Sequence, residues 1–264
     1  MSDTSAAVEP VLFELLTPNI ALVTLNRPEK RNAVSPEVAS ALDAIVKKVE
    51  ETPDIRVTIL TSSEPRVFCA GADLGAIASG KGAGTETPGG GFAGFVYAQR
   101  VKPWIAAVEG IALAGGFEIC LACDMIVASE NARFGLPEVK RGMMAGAGGV
   151  HRLANVLPRN FAAELLATGD QMDAMLAFRH GVINRLVPPG ATLAEALALA
   201  TTIAANAPLA VQFSLAAMRA SIGQADGAGR NIAGERNAAL RKTDDFKEGP
   251  RAFVDKREPV WTGR

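Results

Sequence analysis

With 264 residues and 48% hydrophobic content, the chain can bury a large core and fits one big domain, or one domain with an appendage. Lys and Arg number 27 against 28 Asp and Glu, a formal charge of -1, so no global field draws it to nucleic acid or to an anionic membrane, and a small-molecule partner is expected. The polar, acidic start lacks the basic and apolar parts of an export signal, and no stretch offers about eighteen uninterrupted apolar residues, so a cytoplasmic location is expected.

Val11 to Leu16 and Ile20 to Leu25 are short β-rich runs joined through Thr17-Pro18-Asn19, the pattern of a hairpin. After the polar, basic loop Asn26 to Ala33, Ser35 and Pro36 supply an N-cap and an N1 proline. Val38, Leu42, Ile45, Val46 and Val49 then recur at helical spacing until Thr52-Pro53. Val57 to Leu60 reads as a buried strand. Strand, helix and strand of these lengths imply an α/β fold with crossover connections.

Glu64-Pro65-Arg66 breaks that strand ahead of Phe68 to Leu74, FCAGADL. Ala70, Gly71 and Ala72 carry almost no side chain, so their N–H groups can face a ligand while Asp73 caps a following helix; an ordinary small-residue turn reads the same way. Residues 80–94 hold seven glycines without a G-K-[ST] ending, which predicts a mobile loop of use in substrate entry rather than a phosphate loop.

The stretch 104–149 organises the rest. Trp104 to Val108 is a continuous apolar strand, Gly115-Gly116 let backbone approach a ligand closely, and Phe117 to Ala122 suit the first turns of a helix. Such a helix aims its free N–H groups and positive dipole end back at the glycines, a place to hold negative oxygen. Glu118 falls in the first turn, and Glu138 follows Pro137 in a turn. On these grounds alone Glu118 could equally be a dipole-complementing residue, and Glu138 a surface one.

Further along, Gly146 to Gly149 lead into an amphipathic segment, Val150 to Leu157, without the spacing of a dinucleotide-binding fingerprint. Helices are expected at 159–168 and 173–180, the second between Asp173 as N-cap and Gly181, and Val182 to Val187 is a last strand. From Ala191 on come only Ala-rich helices, expected at 191–206, 208–221, 228–241 and 245–256. Cys69, Cys120 and Cys123 form no disulfide framework, and Cys120-Leu-Ala-Cys123 lacks partners for zinc, so buried thiols are expected. His151 and His180 sit in no metal pattern and read as structural.

The pieces NRPEKRNA (26–33), FCAGADL (68–74), KPWIAAV (102–108), AGGFE (114–118), FGLPE (134–138), GAGG (146–149) and EGPRAF (248–253) together resemble the crotonase, or enoyl-CoA hydratase/isomerase, superfamily along nearly the whole chain. GGGFAG (89–94) and the closing KREPVWTGR are also similar to the carnitinyl-CoA dehydratase branch. The resemblance implies a spiral of ββα units over residues 1–205 holding an acyl-CoA site. A C-terminal helical region over 206–264 is then expected to mediate trimers or dimers of trimers. It implies an oxyanion hole from the N–H groups of Ala70 and Gly115, and a water held between Glu118 and Glu138. Glu138 would protonate Cα while Glu118 orients or deprotonates the water. CoA would be bound by Lys30, Arg31 and Ala33, by Gly71, Ala72, Asp73 and Leu74, by Gly146, and by Phe253 and Lys256, the latter two at a neighbouring subunit's site. No cofactor or metal is implied, CoA being part of the substrate.

Two enclosed carboxyls should raise the pKa of at least one. The family pattern departs at Ala114, where a third glycine is common, at Ala145, often proline, and at Glu109, often asparagine. The retained pair favours reversible syn hydration of a 2-enoyl-CoA. Isomerisation, carnitinyl-CoA dehydration or thioester hydrolysis through the same hole are the alternatives, and a non-catalytic RNA-binding relative is opposed by the balanced charge.

Overall fold

The computed structural model describes residues 9–73, 75, 80 and 82–264. Strands β1 (Val11–Thr17) and β2 (Ile20–Leu25) form the expected antiparallel hairpin. Helix α1 (Pro36–Glu51) starts where Ser35 Oγ accepts from Val38 N–H, with Pro36 at its first position and Val38, Leu42, Val46 and Val49 buried. The chain continues through β3 (Val57–Ser62), β4 (Val67–Cys69), β5 (Glu86–Thr87), β6 (Gly91–Phe92), β7 (Trp104–Val108), β8 (Ile111–Leu113) and α2 (Gly115–Ala122). Then come β9 (Met125–Ser129), β10 (Arg133–Gly135), a 3₁₀ turn at Pro137–Arg141, α3 (Gly149–Val156) and α4 (Arg159–Thr168). They are followed by β11 (Gln171–Asp173), α5 (Ala174–Arg179), β12 (Arg185–Val187) and α6 (Thr192–Ala204). Helices α7 (Pro208–Ser221), α8 (Asp226–Leu240) and α9 (Asp244–Asp255) close the chain.

One sheet has the order β1-β2-β3-β7-β9-β12, parallel from β2 onward, and a second has the order β11-β10-β8-β4. The pairs β3/β4, β7/β8 and β9/β10 each place their first strand in the large sheet and their second in the small one. The chain therefore winds as an α/β spiral of ββα units, as expected. The large sheet is apolar on both faces, as parallel strands under cover must be. Ala21, Val23, Leu60, Trp104 and Ala106 point into the main core with Phe68, Phe117 and Phe134. Ile20, Leu22, Val57, Ile59 and Ile105 pack instead on Ala196 and Ala200 of α6.

Three findings revise the sequence reading. The described part of the glycine-rich segment is a β5–β6 hairpin seated on α1, not a mobile loop. Its glycines serve close approach: a Cβ on Gly84 would stand 2.8 Å from Pro36 Cγ, and one on Gly94 2.4 Å from the Ala39 carbonyl oxygen. Thr87 Oγ1 donates to Asp43 Oδ1 at 2.8 Å and fastens the hairpin down. Strands β8, β9, β10 and β11 were not legible, three of them being only three residues long. Glu109 accepts from Gly190 N–H at 2.7 Å and Thr192 Oγ1 at 2.8 Å, so it anchors the start of α6 rather than the site.

Candidate active site

The site forms where the loop after β2, the turn after β4, the start of α2 and the turn after β10 converge on a cavity of about 800 Å³. Arg31 and Asn32 are both left-handed, at φ 52°, and the buried Asn32 side chain bonds Arg27 N–H, Ser62 Oγ and the Val67 carbonyl. This locks the Asn26–Ala33 loop against the FCAGADL turn. The Cys69 thiol donates to the Asn32 carbonyl, Val34 N–H to the Gly71 carbonyl at 2.8 Å, and Asp73 N–H to the Val34 carbonyl at 3.0 Å.

The same ladder consumes the Ala70 amide, which donates to the Arg31 carbonyl at 3.1 Å. The assignment of an oxyanion donor to Ala70 is thereby corrected. Ala72, two residues on, lines the cavity and its N–H meets no acceptor among the described residues. Gly115, the first residue of α2, likewise lines the cavity, and its N–H is one of the unpaired helix-start amides. Gly71 brings these two stretches together. It has φ 91°, and a Cβ on it would stand 2.8 Å from Ala114 Cβ and 3.0 Å from Gly115 N.

Ala114 caps α2 at φ 50° and ψ −130°, a conformation that suits glycine and costs an alanine on the order of 1–3 kcal/mol. Its N–H is held by the Gly135 carbonyl at 2.9 Å, so the neighbouring strand β10 over-determines the strained residue. Phe92 of the glycine-rich hairpin covers the other side: a Cβ on Gly115 would lie 2.3 Å from Phe92 Cε1. Replacing Gly71 by Ala is expected to lower stability by ~1–3 kcal/mol and to cut turnover, because both the positive φ and the 2.8 Å contact must be relieved by moving the two amides apart. Paired thermal melts and kinetics check this; unchanged kinetics would detach Gly71 from the site.

Glu118 is 3% exposed and Glu138 8%, and both line the cavity. Glu118 Oε1 accepts from Gly149 N–H, the first residue of α3, at 2.8 Å. Burial pushes the Glu118 carboxyl up to about 7, against the pull of the Gly149 bond, with the Glu138 charge adding to the rise. Glu138 is also raised by burial, opposed first by a bond from its own backbone N–H and then by the Arg141 charge. Desolvation is thus the largest cause for both, and repulsion by the neighbouring carboxylate adds to it at Glu118 alone. Glu138 Oε2 is buried without a hydrogen-bond partner.

The turn that carries Gly149 has its own support. Tyr97 Oη donates to the Gly146 carbonyl at 3.1 Å, and Arg152 lies over the Tyr97 ring while donating to the Val96 and Ala147 carbonyls. Gly149, Arg152, Tyr97 and Phe92 were missed by sequence reasoning. Only Gly149 had a signal, as the last glycine before an amphipathic segment.

Of the other expected residues, Arg31 and Gly146 line the cavity, whereas Lys30 and Ala33 do not. Asp73 pairs with Arg27 and accepts from Gly75 N–H at 3.0 Å, and Leu74 lies outside the described residues. Phe253, 84% exposed, and Lys256, the left-handed cap of α9, stand away from the cavity within this chain. Burial pushes the Cys69 and Cys123 thiols up to about 12, so they are inert at neutral pH. No group of three or more His, Cys, Asp or Glu among the described residues stands ready for a metal ion.

The family model described as enoyl-CoA hydratase/isomerase matches residues 16–264. The chain is 40% identical over 261 residues to the mevalonyl-coenzyme A hydratase of Aspergillus fumigatus, covering 96% of this chain and 95% of that protein. It is 39% identical over 247 residues to the carnitinyl-CoA dehydratase of Citrobacter koseri, covering 92% and 94%. Among solved structures, an enoyl-CoA hydratase from Mycobacterium tuberculosis superposes with a TM-score of 0.92 at 40% identity, over 97% of this chain and all (100%) of that one.

Proposed function

Because the chain belongs to the enoyl-CoA hydratase/isomerase family and is a hydro-lyase, an enoyl-CoA hydratase, we propose that the Ala72 and Gly115 amides receive the thioester oxygen while Glu118 and Glu138 move the protons of one water. Ionised Glu118 takes a proton from the water, whose oxygen adds to Cβ. Enolate charge then collects on the thioester oxygen, where two fixed amide donors in a dry site stabilise it; one such donor is typically worth roughly 2.7–4 kcal/mol of barrier. Protonated Glu138 delivers its proton to Cα, and a proton passing back from Glu118 to Glu138 resets the pair. Addition is syn, since a single water bridges both carboxyls.

The observation that carries this reading is the buried, partnerless Glu138 Oε2 in a cavity shared with Glu118 and two free amides. A buried acceptor without a partner is costly, and a substrate water repairs the deficit. Gln, which cannot relay protons, would satisfy an architectural role equally well. The test is hydration of crotonyl-CoA, followed as loss of enoyl-thioester absorbance. Turnover is expected, and its absence across short and medium enoyl-CoAs, chains with a carboxylate or hydroxyl end included, would refute the reading.

Acyl-CoA binding draws on Arg31, whose charge suits CoA phosphate. The apolar residues left on the closing helices and tail, Met218, Ile222, Phe253, Val254 and Val260, are each at least half exposed and support assembly as a homo-oligomer, a trimer or dimer of trimers. In that assembly Phe253 and Lys256 would serve a neighbouring site.

A further inference from the structure

A second cavity, of about 600 Å³, adjoins the first and shares Leu113, Pro137 and Arg141 with it. Arg141 therefore stands in the wall between the two, at the end of the 3₁₀ turn that begins with Pro137-Glu138. Of the other cations nearby, Lys140 is paired with Asp170 at 2.6 Å, Arg152 donates to two carbonyls, and Arg31 is assigned to CoA. The Arg141 side chain makes no hydrogen bond or ion pair among the described residues.

The direction of a bound acyl chain follows from the proposed function, on which this inference rests. Arg31 lines the cavity and, as the cation suited to CoA phosphate in the proposed function, is taken to mark the CoA side of the oxyanion amides. With the thioester oxygen on Ala72 and Gly115, the chain runs past Glu118 and Glu138 toward Arg141, Met143 and Met144, which line the same cavity. Met143 N–H is bonded to the Glu138 carbonyl, so this wall is folded back beside the acid.

We propose that Arg141 is a specificity-determining residue that selects acyl chains ending in an oxygen acceptor, a carboxylate or a hydroxyl, over chains ending in a methyl group. Arg141 is exposed, so a hydrocarbon end seated against it would strip part of the water from the guanidinium and offer nothing in return, whereas a carboxylate supplies two charge-assisted bonds. A second consequence favours an anion. Arg141 holds Glu138 toward its ionised form, and Glu138 must carry a proton to act as acid. A negative group on Arg141 weakens that pull, which is smaller than the one from the Glu138 backbone. Glu86 also lines the cavity and offers the opposite preference, for a cationic chain end.

Binding of saturated acyl-CoAs tests the assignment without requiring turnover. Succinyl-, glutaryl- and adipyl-CoA are compared by calorimetry with the methyl-ended and hydroxyl-ended CoAs of equal chain length. The intact protein is expected to bind the best carboxylate-ended chain at least ~10-fold tighter than its methyl-ended counterpart, the size of one charge-assisted hydrogen bond. The hydroxyl-ended chain falls between if neutral acceptors also use the site. In Arg141→Gln that ratio is expected to collapse to about 2-fold or less, with Arg141→Lys retaining part of it because the charge but not the fork remains. A ratio near one in the intact protein, or a ratio unmoved by Arg141→Gln, overturns the proposal. Tighter binding of a quaternary-ammonium-ended chain, lost in Glu86→Gln, overturns it too. Hydration of crotonyl-CoA without any carboxylate preference sinks this inference alone; a carboxylate preference without hydration sinks only the proposed reaction.

Discussion

Replacing Glu138 by Gln is expected to lower kcat for crotonyl-CoA hydration by ~10²–10⁴-fold, with a smaller change in KM. Gln keeps the volume and one carbonyl oxygen of the side chain, and it keeps the Pro137–Arg141 turn, so the substrate still binds. What it lacks is an acidic proton for Cα. The effect is large because Glu138 is buried, and burial shifts its carboxyl toward the protonated form, the one that can give Cα a proton. Absorbance at the enoyl-thioester band reads kcat directly. Turnover equal to that of the unsubstituted protein would remove the acid role and leave Glu138 as a turn residue.

Replacing Glu118 by Gln is expected to abolish most hydration and, at pH 8, to stabilise the fold. Its carboxyl is pushed up to about 7 from an ordinary 4.5 by burial. Between those values the unfolded chain releases the proton while the folded chain retains it, so rising pH favours unfolding. The penalty is absent below about 4.5, grows through the window, and is complete above about 7. At 1.36 kcal/mol per unit it amounts to about 3 kcal/mol, on the order of several degrees in Tm for a chain of this size. Gln avoids the penalty and its carbonyl can still accept from Gly149 N–H. Melting curves at pH 4.5 and pH 8 should therefore coincide for the two proteins at the lower pH and separate at the higher. The hydration rate should climb with pH through about 7, because the ionised form takes the proton from water. A Glu118→Gln protein that is less stable at pH 8 than its parent would show that the carboxylate is structural.

The two acids were legible because each stands beside a recognisable breaker, Gly115-Gly116 before one and Pro137 before the other, within a run of ordered pieces similar to one family. Helix starts were legible for the same kind of reason: Ser35 and Asp173 cap α1 and α5 as their sequences predict. The amide proposed as oxyanion donor lies two residues beyond the expected Ala70, because all three amides of Ala70-Gly71-Ala72 look alike in one dimension. Which of them is spent depends on the Arg31 carbonyl, delivered by a distant loop. The glycine-rich stretch misled in the opposite sense. Glycine's missing side chain was read as freedom, whereas at Gly84 and Gly94 it permits contact with α1. The support of Glu118 by Gly149, Arg152 and Tyr97 joins three segments far apart in sequence, and nothing local announces it. Ala114 shows the reverse: its departure from glycine was visible, but the backbone strain it carries appears only in φ.

The claim on which all of this depends is that the free Ala72 and Gly115 amides polarise a thioester carbonyl. The most direct measurement is the infrared stretch of an enoyl-CoA carrying ¹³C at the thioester carbon, bound to the Glu138→Gln protein so that no turnover occurs. The account predicts a stretch shifted to lower frequency than in solution, with the shift diminished in Gly71→Ala, where the two donors are forced apart. A bound carbonyl that absorbs at its solution frequency would contradict it.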